Sequence, residues 1–330
     1  MSAFTHPMLR PDIPVLQRNE RELQIGIDHP SALIFDVAPG LDVLVMLLDG
    51  CYHLSEIYRR CARAGLDHQA VDWRLSVLGE AGLIVEGGGR TPSRVRNPLA
   101  TKRVRLVGAG ALGKAIGDLL VGSGIETLYV IDSAPTDTAI YPTAGVLGSR
   151  AEALRAWLVG QTSGVDKAAT RVVVANHWAK PEASATDLTV IAADRMEIDR
   201  VVADGLVQAD QPHLIVRSQA GGVVVGPLVI PGHTPCVRCM DLTRRDADPA
   251  WPRLLRQLCR LGQPATPAMA SWAAGVGAAQ ALGFLSGGTP ESRGATLELS
   301  APDFVTRWRS WPVHVGCGCH WGVTAQWGHE

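Results

Sequence analysis

Lysine is nearly missing from this chain of 330 residues: only Lys102, Lys114, Lys167 and Lys180 occur among 31 basic residues, which leaves few candidates for lysine chemistry. Runs of basic residues are missing altogether, and the formal net charge is −1. The sequence therefore offers no electrostatic footprint for nucleic acid or for a membrane surface. The N-terminus, Met1-Ser-Ala-Phe-Thr-His-Pro7, lacks the charged and apolar pattern of a signal peptide, and no stretch has the uniform apolarity of a membrane span. A cytoplasmic protein with neither nucleic-acid nor membrane partners is the expectation. Seven cysteines, an odd number in a chain without a signal, argue against a disulfide framework and for metal or thiol chemistry.

Glycine and proline are abundant, and their placement divides the chain. The run Gly87-Gly-Gly89-Arg-Thr-Pro92 and the pair Asn97-Pro98 mark a boundary, giving domains 1–98 and 99–330. In the first, Glu22 to Ile27 and Ala32 to Val37 read as paired short strands. Helical stretches follow at Leu41 to Leu48, Leu54 to Ala64 and His68 to Ala81, with Cys51 and Cys61 at apolar positions. The order is that of a small winged-helix-like α+β domain. A DNA reader of that shape needs a basic recognition helix, which is absent, so an extended peptide is the better partner. An accessory domain that only supports dimer contacts is the plainer alternative.

The second domain alternates strands and helices in the manner of an open α/β sheet, mostly parallel. Its opening is the most specific signal in the chain: a strand at Val104 to Val107, then Gly108-Ala-Gly110-Ala-Leu-Gly113, then a helix, then Leu128-Tyr-Val-Ile-Asp132. The first glycine permits the tight turn, the second lets the backbone approach phosphates, and the third lets helix pack on strand. Free N–H groups at the helix start suit an anion, and Asp132 lies at the reach of a ribose hydroxyl. Further strands are predicted at Arg171 to Ala175, Asp187 to Ala192, His213 to Arg217 and Gly222 to Gly226, and helices near Arg150 to Val159 and Glu197 to Ala209. An alanine- and glycine-rich helix, Ala268 to Leu285, suits the core or a dimer interface, and Trp308, Trp311, Trp321 and Trp327 suit packing anchors.

Four cysteines fall in two short loops, Cys236-Val-Arg-Cys239 and Cys317-Gly-Cys319. Four thiolates suit a closed, structural zinc site with no open position for water. The single-residue spacing of the second pair is unusual, which keeps His314 and His320 as alternative ligands. Cys259 has only Arg256 and Arg260 as basic neighbours in sequence, so an ordinary, partly buried thiol is favoured over a nucleophile.

Together, the glycine crossover, the strand Asp187-Leu-Thr-Val-Ile-Ala-Ala-Asp194 and the run Gly221-Gly-Val-Val-Val-Gly-Pro-Leu-Val-Ile-Pro-Gly-His-Thr-Pro-Cys236-Val-Arg-Cys239 resemble the ThiF family of ubiquitin-activating-like adenylyltransferases (HesA, MoeB, ThiF). With Asp246-Ala-Asp-Pro-Ala-Trp251, they resemble in particular its members in thiazole/oxazole-modified peptide biosynthesis. The segments Leu44 to Gly50, Leu54 to Ile57 and Leu75 to Ile84 are similar to the clamp domains that hold leader peptides in such pathways. The resemblance implies a Rossmann-like ThiF-type domain with a zinc knuckle. It also implies ATP at Gly108, Gly110 and Gly113, ribose on Asp132, and magnesium near Asp194. The family's Asn-x-x-Arg-Gln motif is replaced here by Ser133-Ala-Pro-Thr-Asp-Thr-Ala-Ile-Tyr-Pro142, and Arg150 stands where a lysine is usual. A second subunit of a homodimer could lend an arginine, with Arg18 or Arg21 as candidates.

Two functions follow. In the first, the chain binds a precursor or leader peptide and presents it to a partner modifying enzyme of the YcaO cyclodehydratase type, its own adenylation degraded. In the second, it is a working Mg-ATP-dependent adenylyltransferase that charges a peptide or carrier C-terminus, with Asp194 and Arg150 as catalytic residues. A nicotinamide or flavin oxidoreductase would share the glycine turn alone.

Overall fold

Short strands and amphipathic helices near the N-terminus form a unit with its own core, and the chain divides into two compact units, Met1–Asn97 and Pro98–Glu330. The computed structural model describes residues 4–27, 32–88, 97–142, 148–160, 170–177 and 186–320. Most of the 87–92 glycine and proline run, Lys167, Lys180, Trp321 and Trp327 lie outside the described residues.

The first unit runs β1 (Pro7–Leu9), β2 (Val15–Asn19), β3 (Glu22–Ile25), β4 (Leu33–Asp36), α1 (Leu41–Leu47), α2 (Leu54–Arg63), α3 (His68–Glu80) and β5 (Ile84–Glu86). Strands β2, β3 and β4 form an antiparallel sheet in that order, and β1 pairs with β5. Asp67 starts α3 by accepting the Ala70 amide at 2.7 Å, which satisfies one of the helix's orphan donors. Leu44, Ile57, Leu75 and Leu78 join Ile25 and Phe35 in one buried cluster. Cys61 is fully buried on α2, as its apolar position predicts. Cys51 departs from its expected helical core position: it sits half-buried in the turn after α1, where its amide donates to Asp49 Oδ1 at 2.8 Å. A side-chain acceptor two residues back turns the chain instead of extending the helix.

The second unit runs β6 (Arg103–Val107), α4 (Ala111–Gly122), β7 (Thr127–Ile131), α5 (Arg150–Gly160), β8 (Arg171–Val174), β9 (Leu188–Ala193), α6 (Arg200–Gln208), β10 (His213–Gln219) and β11 (Gly222–Val229). Then come α7 (Val237–Ala247), α8 (Trp251–Leu258), α9 (Pro267–Leu285), β12 (Ala295–Ser300) and β13 (Val305–Ser310). Eight strands form one sheet in the order β13-β12-β11-β10-β9-β6-β7-β8, parallel from β10 to β8 and antiparallel beyond β10. The central strands are nearly continuous apolar runs because both faces are covered. After β6 the chain moves to one side, to β7 and β8, and then returns to β9 on the other. A crevice therefore opens at the carboxyl ends of β6 and its neighbours.

Helix α9 belongs to this core. Its length and apolarity would suffice to cross a membrane, but Ala273, Ala274, Gly277 and Ala281 are buried against the sheet and α4. A Cβ at Gly277 would come within 2.9 Å of Val216, so the small residues set how closely helix and sheet approach. Of the tail tryptophans, Trp311 is buried and donates to Thr296 Oγ1 at 3.1 Å, while Trp308 on β13 is exposed.

Candidate functional site

The glycine turn is built as its spacing predicts. Gly108 has φ of +100°, and a Cβ there would overlap the Ala192 carbonyl of β9; one at Gly113 would overlap the Gly108 carbonyl. Asp132 follows β7 directly and accepts the amides of Ala109 and Ala134, at 2.8 and 2.9 Å. Asp194, just past β9, accepts the Ala111 amide at 3.0 Å with Leu112 N 3.5 Å away, and so caps the N-terminus of α4. Burial pushes its carboxyl up, while the two amides and nearby Arg150 pull it down. Arg150, which starts α5, lies 3.6 Å from Asp137.

These groups meet. Gly108, Gly110, Asp132, Arg150 and Asp194 all line one cavity of about 990 Å³ at the crevice, and Gly113 lies behind it as a packing contact. Its apolar wall includes Ile131, Ile191, Ile198 and Val202. Two lining residues escape a motif-based reading: Arg195, next to Asp194, and Arg260, in the segment after α8. Neither belongs to a local motif: Arg260 reaches this wall from a segment far along the chain from Arg195.

The replaced stretch Ser133 to Pro142 has its own anchors. Tyr141 is fully buried and its hydroxyl donates to the Ala109 carbonyl at 2.8 Å. Lys114 on α4 donates to the Ile140 carbonyl at 2.7 Å, its ammonium over the rings of Tyr141 and Trp157. The lysine thus fastens the cavity rim from behind.

The four predicted metal ligands form a second centre. The sulfurs of Cys236, Cys239, Cys317 and Cys319 all lie within 4.8 Å of one another, with contacts of 3.4, 3.4 and 4.0 Å. A tetrahedral zinc with Zn–S bonds of ~2.3 Å sets sulfurs roughly 3.8 Å apart, so the donor set fits. Gly318, with φ of +73°, reverses the chain and lets two cysteines one residue apart face the same point. Among the described residues the group holds four cysteines and no histidine. His314 is instead committed elsewhere: Nε2 is 2.7 Å from Asp246 Oδ2 and Nδ1 accepts the Gly316 amide at 3.0 Å. His320 is half-buried outside the group. Cys259 donates its thiol proton to the Ile198 carbonyl at 3.3 Å, and burial pushes its pKa up, which is the setting of an unreactive thiol.

The sequence matches the ThiF family over residues 86–319. The chain belongs to the ThiF family. It matches no curated protein. Among solved structures, E. coli MccB with AMPCPP and MccA superposes with a TM-score of 0.69 at 15% identity, covering 96% of this chain and 99% of that one. The microcin C7 biosynthetic enzyme MccB in complex with N-formylated MccA gives 0.66 at 17% identity, covering 95% and 99%. PaaA gives 0.64 at 15%, covering 92% and 100%. At such identities the likeness is one of fold.

Proposed function

We propose that this ThiF-family chain is an adenylyltransferase that uses Mg-ATP to activate the C-terminal carboxylate of a peptide. The observation that carries the reading is the convergence of the glycine turn, Asp132, Asp194 and Arg150 on one cavity at the sheet's switch point. A carboxylate oxygen attacks the α-phosphorus, a new P–O bond forms, and the bond to the departing pyrophosphate breaks. Negative charge gathers on the phosphoryl oxygens, and pre-placed cations and amides lower that barrier. Arg150 sits at the start of α5 to offer one cation, and the Asp132 carboxylate holds the ribose. Magnesium, when bound near Asp194, supplies further charge neutralisation. Zinc on the four cysteines is structural in this reading and takes no part in the chemistry.

The N-terminal unit is proposed as the peptide clamp. Strand β4 ends its sheet, and Ile34 and Trp73 are 52% and 57% exposed beside it. Trp73 stands edge-on to buried Phe35 with ring centres 6.1 Å apart. A sheet edge flanked by an exposed aromatic helix face suits an extended leader peptide, which adds as a strand. A structure of MccB with both AMPCPP and MccA supports the reading that a protein of this fold takes a nucleotide together with a second ligand. A cytoplasmic homodimer is part of the proposal.

ATP–pyrophosphate exchange tests it, with candidate peptides that carry a free C-terminal carboxylate as acceptors. Peptide-dependent exchange that vanishes in Asp194→Ala supports it. A second reading draws on Ser133 to Pro142, which carries neither the asparagine nor the arginine of the family motif. There the chain only presents its peptide to a YcaO-type partner enzyme. Tight peptide binding without exchange would favour that second reading.

A further inference from the structure

Four aspartates and three arginines line the cavity, and two of the arginines stand apart from the acids. Arg150 has Asp137 at 3.6 Å, whereas Arg195 and Arg260 have no carboxylate partner among the described residues. Asp132 and Asp194 accept backbone amides, and Asp199 caps α6 through the Val201 amide at 2.9 Å.

The segments that carry the two arginines are also tied together. Arg195 Nη1 donates to the Cys259 carbonyl at 3.1 Å, and the next residue is Arg260. The segment carrying Arg260 is tied to the end of β9 by Met196 N to Leu261 O at 3.2 Å, Gln263 N to Asp194 O at 3.1 Å, and the Cys259 thiol to Ile198 O. Neither guanidinium pairs with a described carboxylate, so each can offer its donors to an anion in the cavity. Guanidinium forks match phosphate oxygens in geometry as well as sign.

We infer that Arg195 and Arg260 form an anion subsite that takes the terminal phosphates of the bound nucleoside triphosphate. This rests on the reading of the cavity as an ATP site. The direction follows from the sheet. With its ribose on Asp132 at the end of β7, a nucleotide runs its phosphates across the α4 N-terminus at β6, so the far ones reach the end of β9. There Arg195 follows Asp194. The pair thus supplies, from a different part of the chain, charge that Ser133 to Pro142 does not carry.

Titration calorimetry of the full chain with ATP plus magnesium and with AMP tests the assignment. Arg195→Ala and Arg260→Ala are each expected to weaken ATP about tenfold, the size of one lost charged hydrogen bond, and AMP less than about twofold. Arg195→Lys should recover part of the loss. If Arg195→Ala melts earlier than wild type through losing the Cys259 contact, Arg260→Ala, whose side chain bonds to nothing described, carries the test. An unchanged ATP-to-AMP ratio in Arg260→Ala, equal weakening of both nucleotides, or a wild type that does not prefer ATP overturns the inference. Absence of pyrophosphate exchange would overturn only the proposed reaction, because the nucleotide comparison needs no peptide and no turnover.

Discussion

Asp194 Oδ2 occupies the space that a Cβ on Gly110 would need, and it stays there by accepting the Ala111 amide at 3.0 Å. Gly108 faces a harder obstacle, the backbone carbonyl of Ala192, in a conformation with positive φ. A carboxylate can swing away, whereas a strand carbonyl cannot. Gly110→Ala is therefore expected to lose about 1–2 kcal/mol, roughly one charged hydrogen bond, along with ATP binding. Gly108→Ala should lose more, about 3 kcal/mol or above, from strain and a clash with backbone. Urea unfolding midpoints check the order, and a Gly108→Ala protein as stable as Gly110→Ala would refute it.

The same carboxylate carries a conflict between folding and chemistry. Burial raises the Asp194 pKa, so its ionised form disfavours the folded state at neutral pH, and the penalty fades as pH falls into the usual carboxylate range. Asp194→Asn should therefore melt higher than wild type at pH 7.5, by a gain of about 1 kcal/mol, while abolishing exchange. The gain should shrink at pH 4. Melting curves at both pH values decide it, and a gain that grows on acidification would reverse the sign of the argument.

Much of this site is legible in the sequence because its parts are local. Gly108, Gly110, Gly113 and Asp132 fall within one strand-turn-helix-strand unit, and each of the two cysteine pairs lies within a few residues. The join between those pairs is legible too, because four thiolates make one tetrahedral site, whereas the exclusion of His314 and the turn at Gly318 are not, since they depend on a salt bridge and a backbone angle. Nor are α8 and β13, whose residues are mostly or wholly exposed and so show no period of burial. Arg195 and Arg260 share a wall only because Leu261 and Gln263 bond to the end of β9. Cys51 shows the same limit at short range, where one aspartate side chain outweighed an apolar pattern.

Glu197 is 7% exposed and lies within 3.3 Å of Arg200, Arg217 and Arg244. Burial alone would raise its pKa, but three guanidinium groups hold it below the ordinary 4.5. A lowered carboxylate pKa contributes stability that is fully present above about pH 4.5 and is lost as pH falls through the folded value. Glu197→Gln strands the arginines and should cost about 3 kcal/mol at pH 7. Its stability should also vary less with pH below 4.5 than that of wild type. Denaturation at pH 3.5 and 7 measures both, and parallel pH profiles for the two proteins would show that Glu197 is not the titrating group.

The cysteine centre predicts its own metal content. Cys236 and Cys239 flank the start of α7, and the Gly232 amide donates to the Cys319 carbonyl at 3.2 Å, so metal binding pins residues 317–319 beside β11. Purified protein should hold one zinc per chain by mass spectrometry. Cys239→Ser should lose both the metal and cooperative unfolding, because zinc on such sites contributes about 10 kcal/mol or more to the folded state. His314→Ala should keep its zinc, since that ring is bonded to Asp246 and not to the cluster. A site closed by four thiolates has no position for substrate or water, so cadmium or cobalt in place of zinc should leave pyrophosphate exchange within about twofold. Exchange that tracked the identity of the metal would mean that the site is open and takes part in the reaction.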